Sequence, residues 1–281
     1  MLGKLIKHEM RATGRIMATV LLSVLAVTVV ANLFWKIQMP SLKVLVVLYD
    51  TVKYLLLAAS IIGVIGVGLF SIVVMVKRFY NSFLSNEAYL SLTLPVSVHQ
   101  HIWSKIIVSM IWFFLTGVVI FLAGIISVLL SGKGISLSEI YFKIIEVFTL
   151  AVQQLRAENV SGFMITLFFI ESAIMVLLSG IGLCLQAYVS MAIGQTSGSR
   201  KILSSVLSYL GISMVSQIVV TVVITLWGVP MLPIDGLQVS TMQAVQSIHS
   251  FLLTIIGVDV LLLVLYYLVT TTMLKKRLNL Q

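Results

Sequence analysis

Six apolar runs, each near or above the 20 or so helical residues that cross about 30 Å of hydrocarbon, leave this chain few ways to fold. They are Ile16–Trp35, Tyr54–Val76, Ile106–Ser131, Gly162–Gly194, Ile202–Trp227 and Ser250–Leu274. Backbone N–H and C=O groups in hydrocarbon must be satisfied internally, and a single segment manages this only as a helix. The expected fold class is therefore an all-α integral membrane protein, with six transmembrane helices in one domain over residues 1–281. Charge is scarce enough to agree: 10% of residues are charged and 60% are apolar, against about a quarter charged in soluble domains. The first run exceeds the 7 to 15 residues typical of a signal-peptide core, and no small-x-small cleavage site follows it. It is expected to remain as a span.

Lysine and arginine predict the orientation. With the N-terminus inside, the inner side holds 12 of the 18, including Lys4, Lys7, Arg78, Lys105, Arg200 and Lys276, with Glu9 and Glu87 as its acids. Net charge is then +10 inside against +1 outside. Both termini are expected to be cytoplasmic, in a multi-pass protein of the plasma membrane. The overall +9 follows from this bias and the anionic inner leaflet, so no nucleic-acid partner is needed. Cys184 is the one cysteine, which excludes an intrachain disulfide.

The segments between spans have their own patterns. Over residues 1–15, Leu2, Leu5, Ile6, Met10 and Thr13 share one helical face, and Lys4, Lys7, His8, Arg11 and Arg15 share the other. This predicts a helix lying in the inner interface before the first span. Within the external segment 132–161, Leu137, Tyr141, Ile144, Ile145, Phe148, Val152 and Leu155 recur at helical spacing, with Ser136 or Ser138 as a cap. An amphipathic external helix is expected there, covering apolar surface or gating a path. In "GVPMLPIDGLQVSTMQAVQSIHS", the prolines and the Asp-Gly pair predict turns, with a short dipping helix after Ser240.

Polar groups inside spans are costly, about 2.5 to 3.5 kcal/mol for an acid at a helix centre, and mark function by default. Glu171 and Asp259 each lie nine residues into an inward-running span, which predicts a common depth. No lysine or arginine within a span is available to pair with them. They either line a path for a polar or cationic cargo or sit as neutral carboxyls bonded between helices. In the fifth span Ser205, Tyr209, Ser213, Gln217, Thr221 and Thr225 recur every four residues, a slanting ridge for packing or for one wet side. Ser213 and Gln217, near its middle, join the two acids as candidate path residues. Gly63, Gly66 and Gly68 in the second span suggest a close helix approach or a bend.

Several chemistries are set aside. There is no GxxxxGK[ST] phosphate loop, no HExxH and no nucleophile signature. His99 and His101 form an HxH pair, but on a helix two such positions point about 200° apart, a poor start for a metal site. The chain is not expected to be an enzyme, and no catalytic or metal-binding residue is assigned.

The stretch "NEAYLSLTLPVSVHQHIWSK", residues 86 to 105, is the main polar interruption. Pro95 forbids a helix running through from upstream. Ser97 and Gln100 form a capping box of the S-x-x-Q type, so a helix should begin at Val98 and continue into the third span. The alternation of Leu90, Leu92, Leu94 and Val96 leaves an extended piece open.

At these residues, "RFYNSFLSNEAYLSLTLPVSVHQHIWSKII" resembles the region between the second and third spans in permease subunits of bacterial type-2 ABC exporters. There a (D/E)-x-Y-L-x-(L/F)-T-L-P-V-S run precedes a helix carrying S-K. The likeness covers about thirty residues; the rest of the chain agrees in layout alone. It implies that residues 78–105 hold a coupling segment docked on a separate cytoplasmic nucleotide-binding ATPase, with Glu87, Tyr89, Leu90, Leu92, Leu94 and Pro95 at the contact. The helix capped by Ser97 and Gln100 would be the lever. It also implies a second permease subunit, identical or a sister, with ATP and Mg on the ATPase and no cofactor on this chain. The implied cargo is an antimicrobial or amphipathic peptide, a drug or a lipid. His99 stands where many relatives carry a basic residue. Two alternatives come from other classes: a secondary transporter in which Glu171 and Asp259 carry protons, though without the inverted repeats many such folds have, and a membrane scaffold in which both acids are silent.

Overall fold

In the computed structural model, residues 1–37, 43–84, 96–130, 136–196, 200–228 and 241–277 are described. They form seven helices: α1 (Leu2–Lys36), α2 (Lys43–Leu84), α3 (Val98–Leu130), α4 (Leu137–Ala157), α5 (Gly162–Gly194), α6 (Lys201–Val223), which runs into a π-turn at Ile224–Gly228, and α7 (Thr241–Arg277). All but α4 are long and apolar enough to cross a membrane, and no strand occurs among the described residues. The chain is a multi-pass membrane protein. Its outward faces agree, since Leu22, Ile62, Phe114, Val176 and Leu226 are all at least 66% exposed. Water would penalise such apolar surface by about 25 cal/mol per Å²; lipid does not.

Helix boundaries follow local chemistry. α3 begins at Val98, where the Gln100 amide donates to Ser97 Oγ at 3.3 Å. Ser136 caps α4 reciprocally: its Oγ accepts from the Glu139 amide at 3.2 Å, and Glu139 Oε2 accepts from the Ser136 amide at 3.3 Å. Asn159, at φ 62°, ends that helix. The Val160 amide donates to Leu155 O and the Asn159 amide to Arg156 O, both at 3.0 Å, which is a Schellman stop with asparagine in the left-handed position.

Residues 2–15 and the first span form one continuous helix, Leu2–Lys36. Two expectations change. No separate helix follows Ser240 and then stops, because Thr241 opens a single helix that runs to Arg277. A Cβ built on Gly66 or Gly68 would meet nothing within 4 Å, and one on Gly63 would lie 3.9 Å from Val24. These glycines mark no close approach, and α2 passes through them as one helix.

By contacts the chain divides into two units, residues 1–78 with 107–146 and residues 79–106 with 147–281. In the first, Glu9, Thr13, Met17, Leu21, Val24, Thr28, Ala31 and Asn32 form the buried stripe of α1, at the three- and four-residue spacing of one helical face. Met17, Leu21 and Val24 pack with Val67 and Met75 of α2 and with Val108 and Trp112 of α3. Polar links run along the same stripe. Arg78 Nε donates to Glu9 Oε2 at 2.7 Å, and Asn32 Nδ2 donates to Ser127 Oγ at 3.2 Å. Thr13 Oγ1 donates to Glu9 O at 2.9 Å and accepts from buried Trp112 Nε1 at 2.8 Å. Thr13→Val keeps the shape but strands that indole N–H, so a loss of about 1–3 kcal/mol is expected. Denaturant titration in detergent measures it; a loss under about 0.3 kcal/mol would mean the bond contributes nothing net.

In the second unit α5 packs against both α6 and α7. Its C-terminal third is buried from Cys184 through Ala192 at most positions. Tyr188 stacks on Phe79 at 3.9 Å between ring centroids, and Phe79 meets Phe83 at 4.9 Å. At the start of α3, Lys105 Nζ donates to Ser82 Oγ at 2.8 Å, and the His101 ring meets Phe83 edge-on. Both ends that flank residues 85–95 are thus packed side chain to side chain within this unit.

Candidate functional site

Where α5, α6 and α7 meet, they leave a cavity of about 360 Å³. Each helix presents it with one face. α5 contributes Ser179, Gly182 and Gln186, α6 contributes Tyr209, Ser213, Ser216 and Gln217, and α7 contributes Asp259 and Tyr266. The intervals are those of helical turns, so the lining follows from three regular helices. Leucines of α5 and α7 and Val220 of α6 complete the wall.

Hydrogen bonds hold this lining in place. Gln186 Nε2 donates to Ser213 Oγ at 2.6 Å, which fastens α5 to α6. Ser216 Oγ donates to Ile212 O at 2.6 Å and also bonds the Tyr266 hydroxyl, which links α6 to α7. Ser179 Oγ donates to Met175 O at 2.7 Å. Among the described residues, Asp259 is the only charged one of the lining.

Of the four intramembrane residues singled out from sequence, Asp259, Ser213 and Gln217 are brought together here, and Glu171 is not. Glu171 lies two helical turns and more before Ser179 on α5, buried, with its Oε2 2.7 Å from His249 Nδ1. Its Oε1 has no hydrogen-bond partner among the described residues. The predicted common depth fails. Glu171 is level with His249, and Asp259 lies ten residues further along α7, about 15 Å at 1.5 Å per residue. The displacement arises because α7 begins at Thr241 and runs past His249 unbroken.

His249 borders a second, apolar cavity of about 310 Å³. Phe148, Val152 and Leu155 on the apolar face of α4 line it, with Val160, Phe168 and Phe169 around the start of α5 and Ile248 of α7. Val160 and Leu155 are also the apolar pair of the Schellman stop. Glu158 Oε2 accepts from Thr241 Oγ1 at 2.9 Å and ties the α4–α5 turn to the first residue of α7.

Sequence reading missed Gln186, Tyr266 and His249. Tyr266 was within reach, because it follows Asp259 by seven residues and so shares its face. His249 was not, because it fell in a segment read as loop. The two residues of the HxH pair part company. His99 is exposed, with Nδ1 2.6 Å from the Tyr267 hydroxyl and Nε2 accepting from Lys275 Nζ at 3.0 Å. His101 is buried beside Phe83. Glu87, Tyr89, Leu90, Leu92, Leu94 and Pro95 lie outside the described residues. The chain matches no protein-family model, no curated protein and no solved structure.

Proposed function

We propose that this chain is the membrane-spanning subunit of an ATP-driven exporter of the type-2 ABC kind. In this reading two permease subunits enclose the path, and separate cytoplasmic ATPase chains close on ATP and Mg below them. The Asp259 cavity belongs to the path, and residues 85–95 meet the ATPase through Glu87, Tyr89, Leu90 and Leu92. The chain itself performs no hydrolysis.

The observation that carries this reading is the pairing of the resemblance in residues 78–107 with how that segment is anchored. Its flanks, Phe79 and Phe83 on one side and His101 and Lys105 on the other, pack together, and Phe79 packs on Tyr188 of α5. Gln186 of the same helix lines the cavity only two residues before Tyr188. A push on residues 85–95 therefore reaches α5 through stacked rings, which transmit displacement because close-packed groups do not compress.

The test is purification of the tagged chain in mild detergent. A nucleotide-binding ATPase is expected to accompany it, and Leu92→Glu should abolish that association and the ATPase activity of the complex while membrane insertion continues. Recovery of the chain with no nucleotide-binding partner, or an unaffected Leu92→Glu complex, would sink the assignment. The buried Glu171–His249 couple is the one feature favouring a proton-coupled secondary transporter instead. Transport driven by a pH gradient with no ATPase present would select that reading.

A further inference from the structure

We infer that the Asp259 cavity binds a primary ammonium carried on an apolar body, so that the cargo class is a cationic amphiphile. The inference rests on reading this cavity as the cargo site. What leads to it is a lone acid set among acceptors and apolar side chains.

Each hydroxyl has one hydrogen to donate, and an amide has two. Ser179 donates its hydrogen to Met175 O, and Ser216 donates its own to Ile212 O. In the Ser216–Tyr266 contact the tyrosine must then be the donor. Gln186 turns its NH₂ group to Ser213 Oγ, which leaves its amide oxygen. The hydroxyl hydrogens of Ser179, Ser216 and Tyr266 and one of the two Gln186 amide hydrogens are thus directed to protein atoms. Lone pairs remain, on Ser179, Tyr266 and Gln186, beside the carboxylate of Asp259.

Among the described residues the lining offers these acceptors and one carboxylate and holds no lysine, arginine or histidine, which favours a ligand with N–H donors and one positive charge. A primary ammonium carries three N–H donors and no acceptor. Divalent metals are a poor match, since calcium and magnesium take six or more oxygens, with carboxylates prominent among them, and the cavity has one carboxylate. No group of three or more histidine, cysteine, aspartate or glutamate side chains is gathered anywhere among the described residues. Tyr209, Ser213 and Gln217 of α6 complete the polar part, and the rest is hydrocarbon: Leu178 and Leu183 of α5, Val220 of α6, and Leu262 and Leu263 of α7. Within about 360 Å³ the charged head and a compact apolar body fit together. Asp259 is the middle residue of α7 (Thr241–Arg277), far from either helix end, where a charge without a counter-ion is costly.

The experiment is equilibrium binding to the purified full-length chain in lipid nanodiscs at neutral pH. The probe is dansylcadaverine, a primary ammonium whose fluorophore brightens in apolar surroundings, compared with its neutral N-acetyl derivative. The ammonium is expected to bind at least about tenfold more tightly than the acetylated form, as a desolvated charge pair should. Asp259→Asn should bring the two level while leaving the acetylated probe unchanged, which certifies that the cavity is still formed; Asp259→Glu should retain the preference. Equal affinities in the native chain, or an undiminished preference in Asp259→Asn, would overturn the inference. So would displacement of the probe by low-millimolar sodium, which would mark a monovalent metal site. No ATPase takes part, so failure of the exporter reading and failure of this one show up in different measurements.

Discussion

Replacing His249 by alanine is expected to destabilise the protein by about 1–3 kcal/mol, the usual cost of leaving a buried polar group without its hydrogen-bond partner. Glu171 is 3% exposed and its neighbour on the Oε2 side is the imidazole, at 2.7 Å. Its other oxygen already has no hydrogen-bond partner among the described residues. Without the ring both oxygens are buried and unbonded. The carboxyl group then either draws in water or disrupts the α5–α7 contact. The double variant Glu171→Leu with His249→Leu should recover most of the loss, because apolar side chains of similar volume remove the polar groups along with their need for partners. Unfolding by denaturant titration in detergent, run as a double-mutant cycle, measures the coupling. If the double variant is as unstable as His249→Ala, the cost is one of packing and the pair is not the cause.

Gly194→Ala is expected to cost at least as much as a typical overpacking substitution, about 1–3 kcal/mol, and to disturb the polar cavity as well. A Cβ at Gly194 would overlap Ser205 Oγ and come within 2.5 Å of Ser205 N and 2.6 Å of its Cα. A hydroxyl can rotate away; backbone atoms at the start of α6 cannot. The first turn of α6 must therefore shift, and Tyr209 and Ser213, one and two turns on, shift with it. Ammonium-probe affinity should fall together with stability. Gly211→Ala, within α6 and with nothing within 4 Å of the added carbon, serves as the control. It should be neutral or slightly stabilising, since glycine in a helix interior costs about 0.5–1 kcal/mol relative to alanine. Equal behaviour of the two variants would remove the close approach as an explanation.

Local features of the fold were legible because their causes are local. The caps at Ser97 and Ser136 each need only residues three apart, although the sequence left Ser138 open beside Ser136. The amphipathic helix needs only its own periodicity, and Phe148, Val152 and Leu155 do line one cavity wall. The candidate site was legible in part. The ridge through Tyr209, Ser213 and Gln217 faces the cavity, yet spacing alone did not say whether that ridge packs or is wet. Glu171 and His249 are 78 residues apart in sequence, and no period within either helix reports on the other. Taking α7 to begin at Ser250 placed Asp259 opposite Glu171, and the nine further helical residues from Thr241 undo that placement.

Hydrophobic runs thus dictated the all-helical class and the six apolar helices, because hydrocarbon leaves the backbone no other way to satisfy its own polar groups. Which helices adjoin, and at what axial offset, was settled in three dimensions. Lipid solvates one apolar face as well as another, so apolarity alone does not choose between neighbours. That choice falls to a few specific contacts: Ser205 against Gly194, Gln186 on Ser213, Tyr266 on Ser216, and Glu171 beside His249. Together they place α5 between α6 and α7 and set Asp259 in a cavity lined by the polar side chains of all three helices.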